Sequence, residues 1–381
     1  MNGRERINAA FLPSGAPEIA AVLSYENILF RDHWEQLTDQ PWWSRVSPDI
    51  TIQMAWYRDF LNRTGLDWCK IPRFYSRKER VHITLRHTPG GVFIVNDLDG
   101  SREPVDPYGL IEVSSSSDDT RPVHPEHIAE TTDEIDASVA VPESAAIEEF
   151  LAEGRNDLAA RFLDEFDWVY PYFRVPSPYW GCYDLWGFEE MMIKTVTRPD
   201  LVEYACRLFL RLGIQSVGIA KVLGAAGIFI EEAMTDMVSP EAYRSLVLPW
   251  IRILTDEIRA RGMKSIYSFG GNPAGKWERI LDSGADAFAF EEGKKGFDID
   301  VEDVVEKAGG RYTVLGNLDS IGVLQNGSER DLRTEIKRQI AAGRRNKSRF
   351  IMNLGSPVTP ETPVERVRLY FDLVHELGKE R

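Results

Sequence analysis

A glycine-rich stretch, KSIYSFGGNPAGKW (residues 264–277), has the spacing of a nucleotide-binding P-loop. Gly270 to Lys276 fit the pattern G-x-x-x-x-G-K. A P-loop needs Ser or Thr after the lysine, because that hydroxyl ligates Mg²⁺, and this position is Trp277. Pro273 also removes one of the backbone N–H groups that would cradle a phosphate. A nucleotide site is therefore disfavoured, and two interpretations remain open: a turn without a function, or a strand-end loop that lines an active site.

Polar and aromatic side chains follow several short apolar runs in the second half of the chain. A carboxyl group among aromatic rings can have a raised pKa and act as a general acid. The paired acids Glu231 and Glu232, at the end of GIFIEEA, are therefore candidate catalytic residues. For each candidate, a loop hydrogen bond or a helix cap is the alternative role. The candidate substrate-binding residues are Trp180, Tyr267, Ser268, Gly271, Asn272, Glu291, Asn317, Asn353 and Ser356.

These residues need a scaffold that brings the ends of several strands together. From about residue 168 onward, strand-like runs alternate with helix-like segments, which predicts parallel strands joined by crossover helices. Helices are predicted to begin at the caps Ser239 and Ser328 and at Thr362-Pro363, and the last two to end at Gly343 and Gly378. The strand-like runs are WVYPYFRV, GIFIEEA, KSIYSFGG, ADAFAFEE, YTVLGNLD and RFIMNLG.

The N-terminal half is less regular, but it supplies the remaining strands. AAVLS (residues 20–24) and DWCKIPRF predict the first two strands, and residues 49–65 predict a helix that ends at Gly65. A count of about eight βα units favours an α/β fold with a single (β/α)₈ TIM-type barrel. A doubly wound sheet would place its glycine-rich turn after the first strand, whereas here it follows the fifth. Barrel active sites form where the strands end, so the polar candidates should meet at one mouth.

Two N-terminal segments lie outside this alternation. RVHITLRHTPGGVFIVNDLDG alternates with a period of two around its Pro-Gly-Gly, which predicts an inserted β-hairpin over residues 80–98. Residues 114–135 are polar and acidic, which predicts a surface loop or linker. The aromatic segments SYENILFRDHW and QPWW suit a flat or apolar ligand. They make Trp42 and Trp43 candidate substrate-binding residues.

The composition limits the class of protein and its partners. The chain has 381 residues, of which 43% are hydrophobic, and its formal net charge is −15. Such a surface repels nucleic acid and anionic membranes, so neither is expected as a partner. No run approaches 18 apolar residues, and the N-terminus lacks the apolar region of a secretory signal. Three widely spaced cysteines suggest reduced thiols, and the expected location is the cytoplasm.

Several C-terminal segments resemble the uroporphyrinogen decarboxylase superfamily. The most specific are G-N-L-D in VLGNLD and N-L-G-x-x-x-x-P in FIMNLGSPVTPETPVERVRLYFDLV. YSFGGN, SPYWGCYDLWGFEEM and SPEAYRSLVLPWI extend the resemblance, which is good over residues 166–381 and poor over residues 1–165. It implies one barrel domain for residues 1–381, in agreement with the strand count. It also makes Tyr183, which matches the family's tyrosine on the third strand, a catalytic candidate.

The superfamily contains cofactor-free decarboxylases of the acetate arms of uroporphyrinogen, and methyltransferases that work with a corrinoid. The decarboxylases carry an R-Q-A-G-R segment that this chain lacks, and the histidine of their last strand falls on Ser356. Methyltransferases with thiol acceptors bind zinc at positions that here are Ser268, Gly270 and Ser356, none of which is a soft ligand. An acidic E-D pair of the other methyltransferases matches Glu231-Glu232. The resemblance therefore favours the branch that takes a methyl group from a methylated donor.

That branch implies a methyltransferase component that passes a methyl group from a small donor, such as a methoxy-aromatic, to a corrinoid protein. The corrinoid is expected on a partner protein, because this chain has no D-x-H-x-x-G loop. An ether oxygen leaves poorly unless it is protonated or bound to a metal. A metal at Glu231, Glu232 or Glu291 is left open, as is a homodimer. The alternatives are a cofactor-free decarboxylase of a smaller acid and a non-catalytic binding barrel.

Overall fold

The computed structural model describes residues 1–106, 123–141, 147–293 and 296–379. Its main sheet has eight parallel strands, in the order β1-β11-β10-β9-β8-β7-β6-β2. This order, with helices between successive strands, confirms the predicted TIM-type barrel. The barrel strands are β1 (Ala20–Ala21), β2 (Trp68–Lys70), β6 (Tyr170–Pro176), β7 (Gly227–Glu232), β8 (Lys264–Phe269), β9 (Ala287–Phe290), β10 (Thr313–Leu315) and β11 (Phe350–Met352).

The barrel closes where its first two strands meet, at Asp67. The backbone N–H of Asp67 donates to the carbonyl oxygen of Ala21 (3.0 Å). The Asp67 carboxylate accepts the backbone N–H of Ala21 (2.8 Å). The same carboxylate also contacts Arg6 Nη1 (2.9 Å) and His375 Nε2 (2.9 Å). One buried side chain thus joins both edge strands to the first and last helices of the chain.

The helices cover the outside of the barrel, because their apolar faces pack on the strands. Ser328 caps its helix as predicted, and Gly65 ends another in a left-handed conformation (φ 77°). The helices are α1 (Gly3–Ala10), α2 (Glu26–Leu37), α3 (Ile50–Thr64), α4 (Arg77–His82), α5 (Thr132–Ser138), α6 (Ile147–Ala152), α7 (Asp157–Glu165), α8 (Pro178–Thr197), α9 (Pro199–Leu223), α10 (Pro240–Ala242), α11 (Leu248–Ala260), α12 (Trp277–Leu281), α13 (Val301–Ala308), α14 (Glu329–Arg345) and α15 (Val364–Leu377).

The helix predicted from Ser239 is interrupted. Ser239 caps it as expected, since its Oγ accepts the backbone N–H of Ala242 (3.1 Å). After α10 the chain winds as a π-helix over Tyr243–Val247, and only then does α11 begin. Pro249, in the first turn of α11, has no N–H and clashes with the carbonyl of the preceding turn. The local widening to a π-helix accommodates the proline without ending the helix.

Gly343 does not end α14, which runs on to Arg345. A Cβ at Gly343 would lie 2.3 Å from the ring of Phe350 on β11, so the helix is too close to the sheet for any side chain. Gly343→Ala should therefore lower the free energy of unfolding in urea by roughly 1–3 kcal/mol. Gly218→Ala in α9 is the matched control, because a Cβ there has no atom within 4 Å. The control should gain roughly 0.5–1 kcal/mol, and equal effects at both sites would contradict this packing.

The predicted hairpin is present as an insertion between β2 and β6. β3 (Ile83–Thr88) and β4 (Gly91–Asn96) pair antiparallel, with Thr88 opposite Gly91, and β5 (Arg102–Pro104) adds a third strand. A small apolar cluster of Val46, Val92 and Val105 lies beneath this sheet. The hairpin therefore packs on the short 3₁₀-helix Trp42–Val46 through its own minor core.

The polar segment 114–135 lies only partly within the described residues. Residues 114–122 fall outside them, and α5 begins at Thr132, inside the segment that was predicted to be a loop. Thr131 and Glu134 form a capping box there, with the Thr131 Oγ1 accepting the Glu134 N–H (3.3 Å). Among the described residues, no helix combines the length and apolarity needed to cross a bilayer.

Candidate functional site

An ion pair stands at the carboxyl end of the barrel strands. Arg174 on β6 pairs with Glu231 on the neighbouring β7, and their side chains are 6% and 18% exposed. Arg174 Nη1 also donates to Asn27 Oδ1 (3.4 Å), and its Cζ lies 5.3 Å from the centroid of the Tyr25 ring. The Arg174 charge is thus held between the first, third and fourth barrel strands.

Two acids at the end of β9, Glu291 and Glu292, also act on Tyr25. Burial raises the pKa of Tyr25, and the charges of Glu231, Glu291 and Glu292 raise it further, against the effect of Arg174. The charges of these four residues therefore act on one buried hydroxyl. We call Tyr25, Arg174, Glu231, Glu291 and Glu292 the mouth cluster. A Cβ at Gly270 would lie 3.6 Å from Glu291 Oε1, which places Glu291 beside the end of β8; that Glu231 and Glu291 bind one ligand stays a prediction.

The polar residues after β10 and β11 form hydrogen bonds that connect the loops around this cluster. Asn317 Nδ2 donates to the carbonyl oxygens of Glu291 (3.2 Å) and Ile299 (2.9 Å). Ser356 Oγ donates to Glu292 Oε2 (2.7 Å). Asn353 Nδ2 donates to Ser24 Oγ (2.8 Å), whereas its buried Oδ1 has no hydrogen-bond partner among the described residues. Of these three candidates, Asn353 has the polar atom that is left for a ligand.

Glu232 points away from the mouth cluster. Its carboxylate accepts the hydroxyl of Tyr267 (3.3 Å), and that hydroxyl lies 2.9 Å from the hydroxyl of Tyr243 in the π-helix. The two predicted acids therefore lie on opposite faces of the sheet. Glu231 faces the barrel mouth, and Glu232 faces the layer between sheet and helices. Burial raises the pKa of Glu232 to about 8, although hydrogen bonds from Ser177 and Tyr267 act against this. Tyr267, a predicted substrate-binding residue, lies in the same buried layer.

The glycine-rich loop after β8 packs against the loop after β7. A Cβ at Gly271 (φ 85°) would lie 2.3 Å from the carboxyl carbon of Asp236, so only glycine fits there. Asn272 Oδ1 accepts the N–H of Ala274 (3.0 Å), and the buried Lys276 Nζ donates to the carbonyl oxygen of Asp236 (3.1 Å). The P-loop-like spacing thus serves loop packing. Ser268, half-buried on β8, lies opposite Glu231 in the strand register.

The aromatic candidates lie apart from one another. Trp180 and Tyr183 stack in the first turns of α8, with centroids 5.1 Å apart, and the Tyr183 hydroxyl accepts the N–H of Val123 (3.0 Å). Trp42 and Trp43 pack on the apolar cluster beneath the hairpin, and Trp43 meets His87 edge-on at 5.0 Å. They were predicted to bind substrate because QPWW suits a flat ligand; both are half-buried against this cluster and lie outside the described cavity wall, and the role stays a prediction.

A cavity of about 100 Å³ lies at the carboxyl ends of β2 and β6, beneath α2 and α3. It meets the mouth cluster at Arg174, which belongs to both. The segment SYENILFRDHW, predicted to suit a flat ligand, supplies part of its wall. The lining residues are Glu26, Asn27, Phe30, Trp34, Arg45, Gln53, Trp56, Tyr57, Cys69, Lys70, Ile71, Pro72, Arg73, Phe74, Leu158, Tyr172, Phe173 and Arg174.

Glu26 is the acidic group of the cavity wall. It is 3% exposed, and its Oε2 accepts the backbone N–H of Lys70 (3.2 Å). Its Oε1 is buried and has no hydrogen-bond partner among the described residues. Burial raises the pKa of Glu26 to about 8, although the charges of Lys70 and Arg174 lower it. At neutral pH Glu26 is therefore largely a neutral carboxylic acid that can donate a proton.

Sequence patterns missed Glu26 and Arg174, although each left a signal. Glu26 opens a helix directly after the first strand, which is where barrel sites form. Arg174 is the charged residue in the strand-like run YPYFRVP, and it is buried. A charge in an otherwise apolar strand is costly unless it has a partner or a function. Both signals lie in or next to the half of the chain with poor family resemblance.

The described residues contain no group of three or more His, Cys, Asp and Glu side chains placed to hold one metal ion. Glu231 is bound to Arg174, and Glu232 points into the layer between sheet and helices. Nothing in the described geometry therefore points to metal ligation by this acid pair.

The family model for uroporphyrinogen decarboxylase matches residues 177–377, which is more than half of the chain. The chain belongs to the uroporphyrinogen decarboxylase family. Uroporphyrinogen decarboxylase of Carboxydothermus hydrogenoformans is 27% identical over 156 residues, or 41% of this chain and 42% of that protein. The enzyme of Xanthomonas oryzae is 22% identical over 211 residues, or 52% of this chain and 58% of that protein. The chain thus spans between about two fifths and three fifths of the length of these relatives.

A solved structure of a methyltransferase from Methanosarcina mazei shares the fold over its whole length. It covers 99% of both chains with a TM-score of 0.65, at 16% sequence identity. At this identity the similarity shows the fold alone, which includes the N-terminal elaboration. The decarboxylase-family model, by contrast, begins at residue 177, after the last described residue of the cavity wall. The described cavity is therefore built from the part of the chain that lies outside the family match.

Proposed function

We propose that this family member is a methyltransferase component that takes a methyl group from a small methoxy-aromatic donor and passes it to a corrinoid protein. The observation that carries the proposal is the buried, largely neutral carboxyl of Glu26 in the wall of a cavity lined by aromatic rings. An aryl ether loses its methyl group only if the departing oxygen is protonated or bound to a metal. Glu26 can supply that proton.

The dimensions of the cavity support a small donor. One water molecule needs roughly 10–15 Å³, so a cavity of about 100 Å³ has room for several waters or one small ligand. A tetrapyrrole such as uroporphyrinogen is far larger than this. The wall that meets the donor also lies outside the segment shared with the decarboxylases. Both points favour a substrate different from that of the relatives named uroporphyrinogen decarboxylase.

The size of the cavity also bears on where the corrinoid binds. A corrin ring is too large for this cavity, so the residues present fit the donor, and the corrinoid belongs on a partner protein. When bound, a reduced corrinoid supplies the nucleophile that accepts the methyl group. A solved methyltransferase has the same fold over its full length.

The chain's own residues bind the donor and transfer one proton to its departing oxygen. The aromatic wall packs on the ring and excludes water from the ether. As the bond between the methyl carbon and the oxygen breaks, its electron pair stays on the oxygen and the proton of Glu26 neutralises it. The products are a phenol and the Glu26 carboxylate, which regains a proton from solvent. Lys70 and Arg174, which lower the Glu26 pKa, stabilise this carboxylate while it exists.

A second candidate function is cofactor-free decarboxylation of a small aromatic acid. The observation in its favour is the set of cations in the cavity wall: Arg45, Lys70, Arg73 and Arg174. The relatives named uroporphyrinogen decarboxylase are consistent with it. Under this alternative Glu26 would protonate the ring carbon after CO₂ leaves.

The proposal is tested by following phenol formation from a set of methoxybenzenes by chromatography. The chain is incubated with each compound and a reduced corrinoid protein, and the controls omit either protein. We expect phenol only in the complete mixture, at a rate proportional to the concentration of this chain. No phenol from any ether, in the presence of a corrinoid protein known to be reduced, would overturn the proposal.

A further inference from the structure

Arg174 belongs both to the cavity wall and to the mouth cluster, and it lies close to the carboxyl of Glu26. Glu26 accepts the backbone N–H of Lys70, and Lys70 pairs in the sheet with Tyr172, two residues before Arg174. Arg174 Nη1 also donates to the side chain of Asn27, the residue after Glu26 on α2 (3.4 Å). Burial raises the pKa of Glu26 to about 8, and the charge of Arg174 acts against this.

A cation at this position works against a general acid. The acid must carry its proton at neutral pH, whereas a nearby positive charge favours the carboxylate. Glu231 opposes that charge, because its carboxylate forms an ion pair with Arg174 in which the side chains are only 18% and 6% exposed. Solvent screens such a buried pair much less than it screens a surface pair. Glu26 therefore lies beside two opposite charges that partly cancel, and not beside an isolated cation.

The other groups around Glu26 do not supply this negative charge. Among the described residues that line the cavity, Glu26 is the one carboxyl. Burial raises the pKa of the Cys69 thiol well above its usual range, so the thiol is neutral. Arg45, Lys70 and Arg73 have partners of their own. The titratable or charged groups of the wall besides Glu26 are Arg45, Tyr57, Cys69, Lys70, Arg73, Tyr172 and Arg174.

We propose that Glu231 is a positioning residue of the reaction, and that its ion pair with Arg174 prevents the guanidinium from ionising the Glu26 carboxyl. The inference rests on the proposed function, in which Glu26 gives its proton to the departing oxygen. Glu231 then acts from the barrel mouth, through Arg174, without touching the donor.

Titration of Glu26 tests the inference without donor or corrinoid. The chain is labelled with ¹³C at its glutamate carboxyl carbons, and the Glu26 signal is the one that is missing in Glu26→Gln. NMR follows its chemical shift across neutral and alkaline pH. In Glu231→Gln, Glu26 should titrate about one pH unit lower than in the wild type, the low end of the effect of one nearby charge. The alkaline limb of the rate should move by the same amount.

The sign of the shift separates this role from a merely structural one. Arg174→Met removes the cation, so Glu26 should titrate at a higher pH, in the direction opposite to that of Glu231→Gln. The double variant Arg174→Met/Glu231→Gln has no cation left to oppose, so Glu26 should titrate at or above the wild-type pH. It also provides the measurement if either single variant fails to fold, and a titration below that of the wild type would contradict the proposal.

Glu203→Gln is the matched control, because it removes an exposed carboxylate that is paired with Arg207 on α9. It should leave the titration of Glu26 unchanged. An equal shift in Glu203→Gln and Glu231→Gln would reduce the effect to the general field of the protein and overturn the inference, as would no shift in Glu231→Gln.

The two proposals can fail separately. A Glu26 titration that moves as expected, in a chain that forms no phenol from any ether, would leave the electrostatic role of Glu231 standing and overturn the function. Phenol formation with a Glu26 titration that Glu231→Gln does not move would support the function and overturn the role of Glu231.

Discussion

Glu26→Gln should lower the rate of methyl transfer by roughly 10²–10⁴-fold, the usual contribution of a positioned general acid. Glutamine keeps the size of the side chain and its hydrogen bond from Lys70, but it has no proton to give to the departing oxygen. Rates of phenol formation under saturating donor measure the effect. Glu35→Gln is the matched control, because it makes the same substitution on the solvent-facing side of the same helix, and it should leave the rate unchanged.

The pH dependence distinguishes loss of an acid from loss of packing. The acid must be protonated, and burial raises the pKa of Glu26 to about 8. The wild-type rate should therefore be constant below pH 8 and fall about tenfold per pH unit above it. Glu26→Gln should remove this alkaline limb. If Glu232→Gln removes the limb while Glu26→Gln keeps it, the acid is Glu232, one of the two acids that the sequence predicted.

The same pKa fixes the sign of the effect on stability. A carboxyl whose pKa rises on folding, from 4.5 to about 8, is ionised more readily in the unfolded chain. Its contribution to stability is therefore lost as the pH rises from 4.5 to 8. Glu26→Gln should be at least as stable as the wild type at pH 8, so a loss of activity there cannot be ascribed to unfolding.

Arg174→Met should lower the free energy of unfolding by roughly 3–5 kcal/mol, because it leaves the carboxylate of Glu231 buried without its partner. The side chains are 6% and 18% exposed, so solvent replaces little of the lost interaction. Urea denaturation measures the loss. Arg207→Met, which breaks an exposed pair with Glu203 on α9, is the control and should cost only about 0–1 kcal/mol.

The double variant Arg174→Met/Glu231→Gln completes the cycle. It removes both charges, so it should recover most of the stability lost in Arg174→Met alone. A double variant as unstable as Arg174→Met would show that the two side chains are not energetically coupled. The recovered protein should still bind donor weakly, since Arg174 also belongs to the cavity wall.

The barrel could be predicted from the sequence because its second half repeats a simple pattern. β7 and β8 are largely apolar runs of six residues, and the helix after β7 has a recognisable cap in Ser239. The first two strands are harder to detect, since β1 has two residues and β2 has three, too few to show a period. They could be located only by their apolar composition, and the segment after β1, SYENILFRDHW, could be assigned to a flat ligand but not to a named acid.

Only part of the candidate site could be predicted, again because some strands are easier to recognise than others. Strand ends with acids, such as Glu231 and Glu291, could be recognised because the strands before them are clear. Whether a strand-end residue faces the lumen depends on the pleat, and one residue of error turns the side chain to the other face. That is the difference between Glu231 and Glu232. The role of Arg174 depends on a partner 57 residues away, which no local pattern reveals.

In the proposed reaction, the bond that breaks joins the methyl carbon to the ether oxygen, and any carboxyl group stays on the ring. One donor labelled at both positions, 4-methoxybenzoate with a deuterated methoxy group and a ¹³C carboxyl carbon, tests it in a single incubation with the chain and a reduced corrinoid protein. Mass spectrometry of the aromatic product identifies which label leaves. We predict 4-hydroxybenzoate that has lost all deuterium and kept the ¹³C. Methoxybenzene that keeps its deuterium, with release of ¹³CO₂, would contradict the account and establish the decarboxylase.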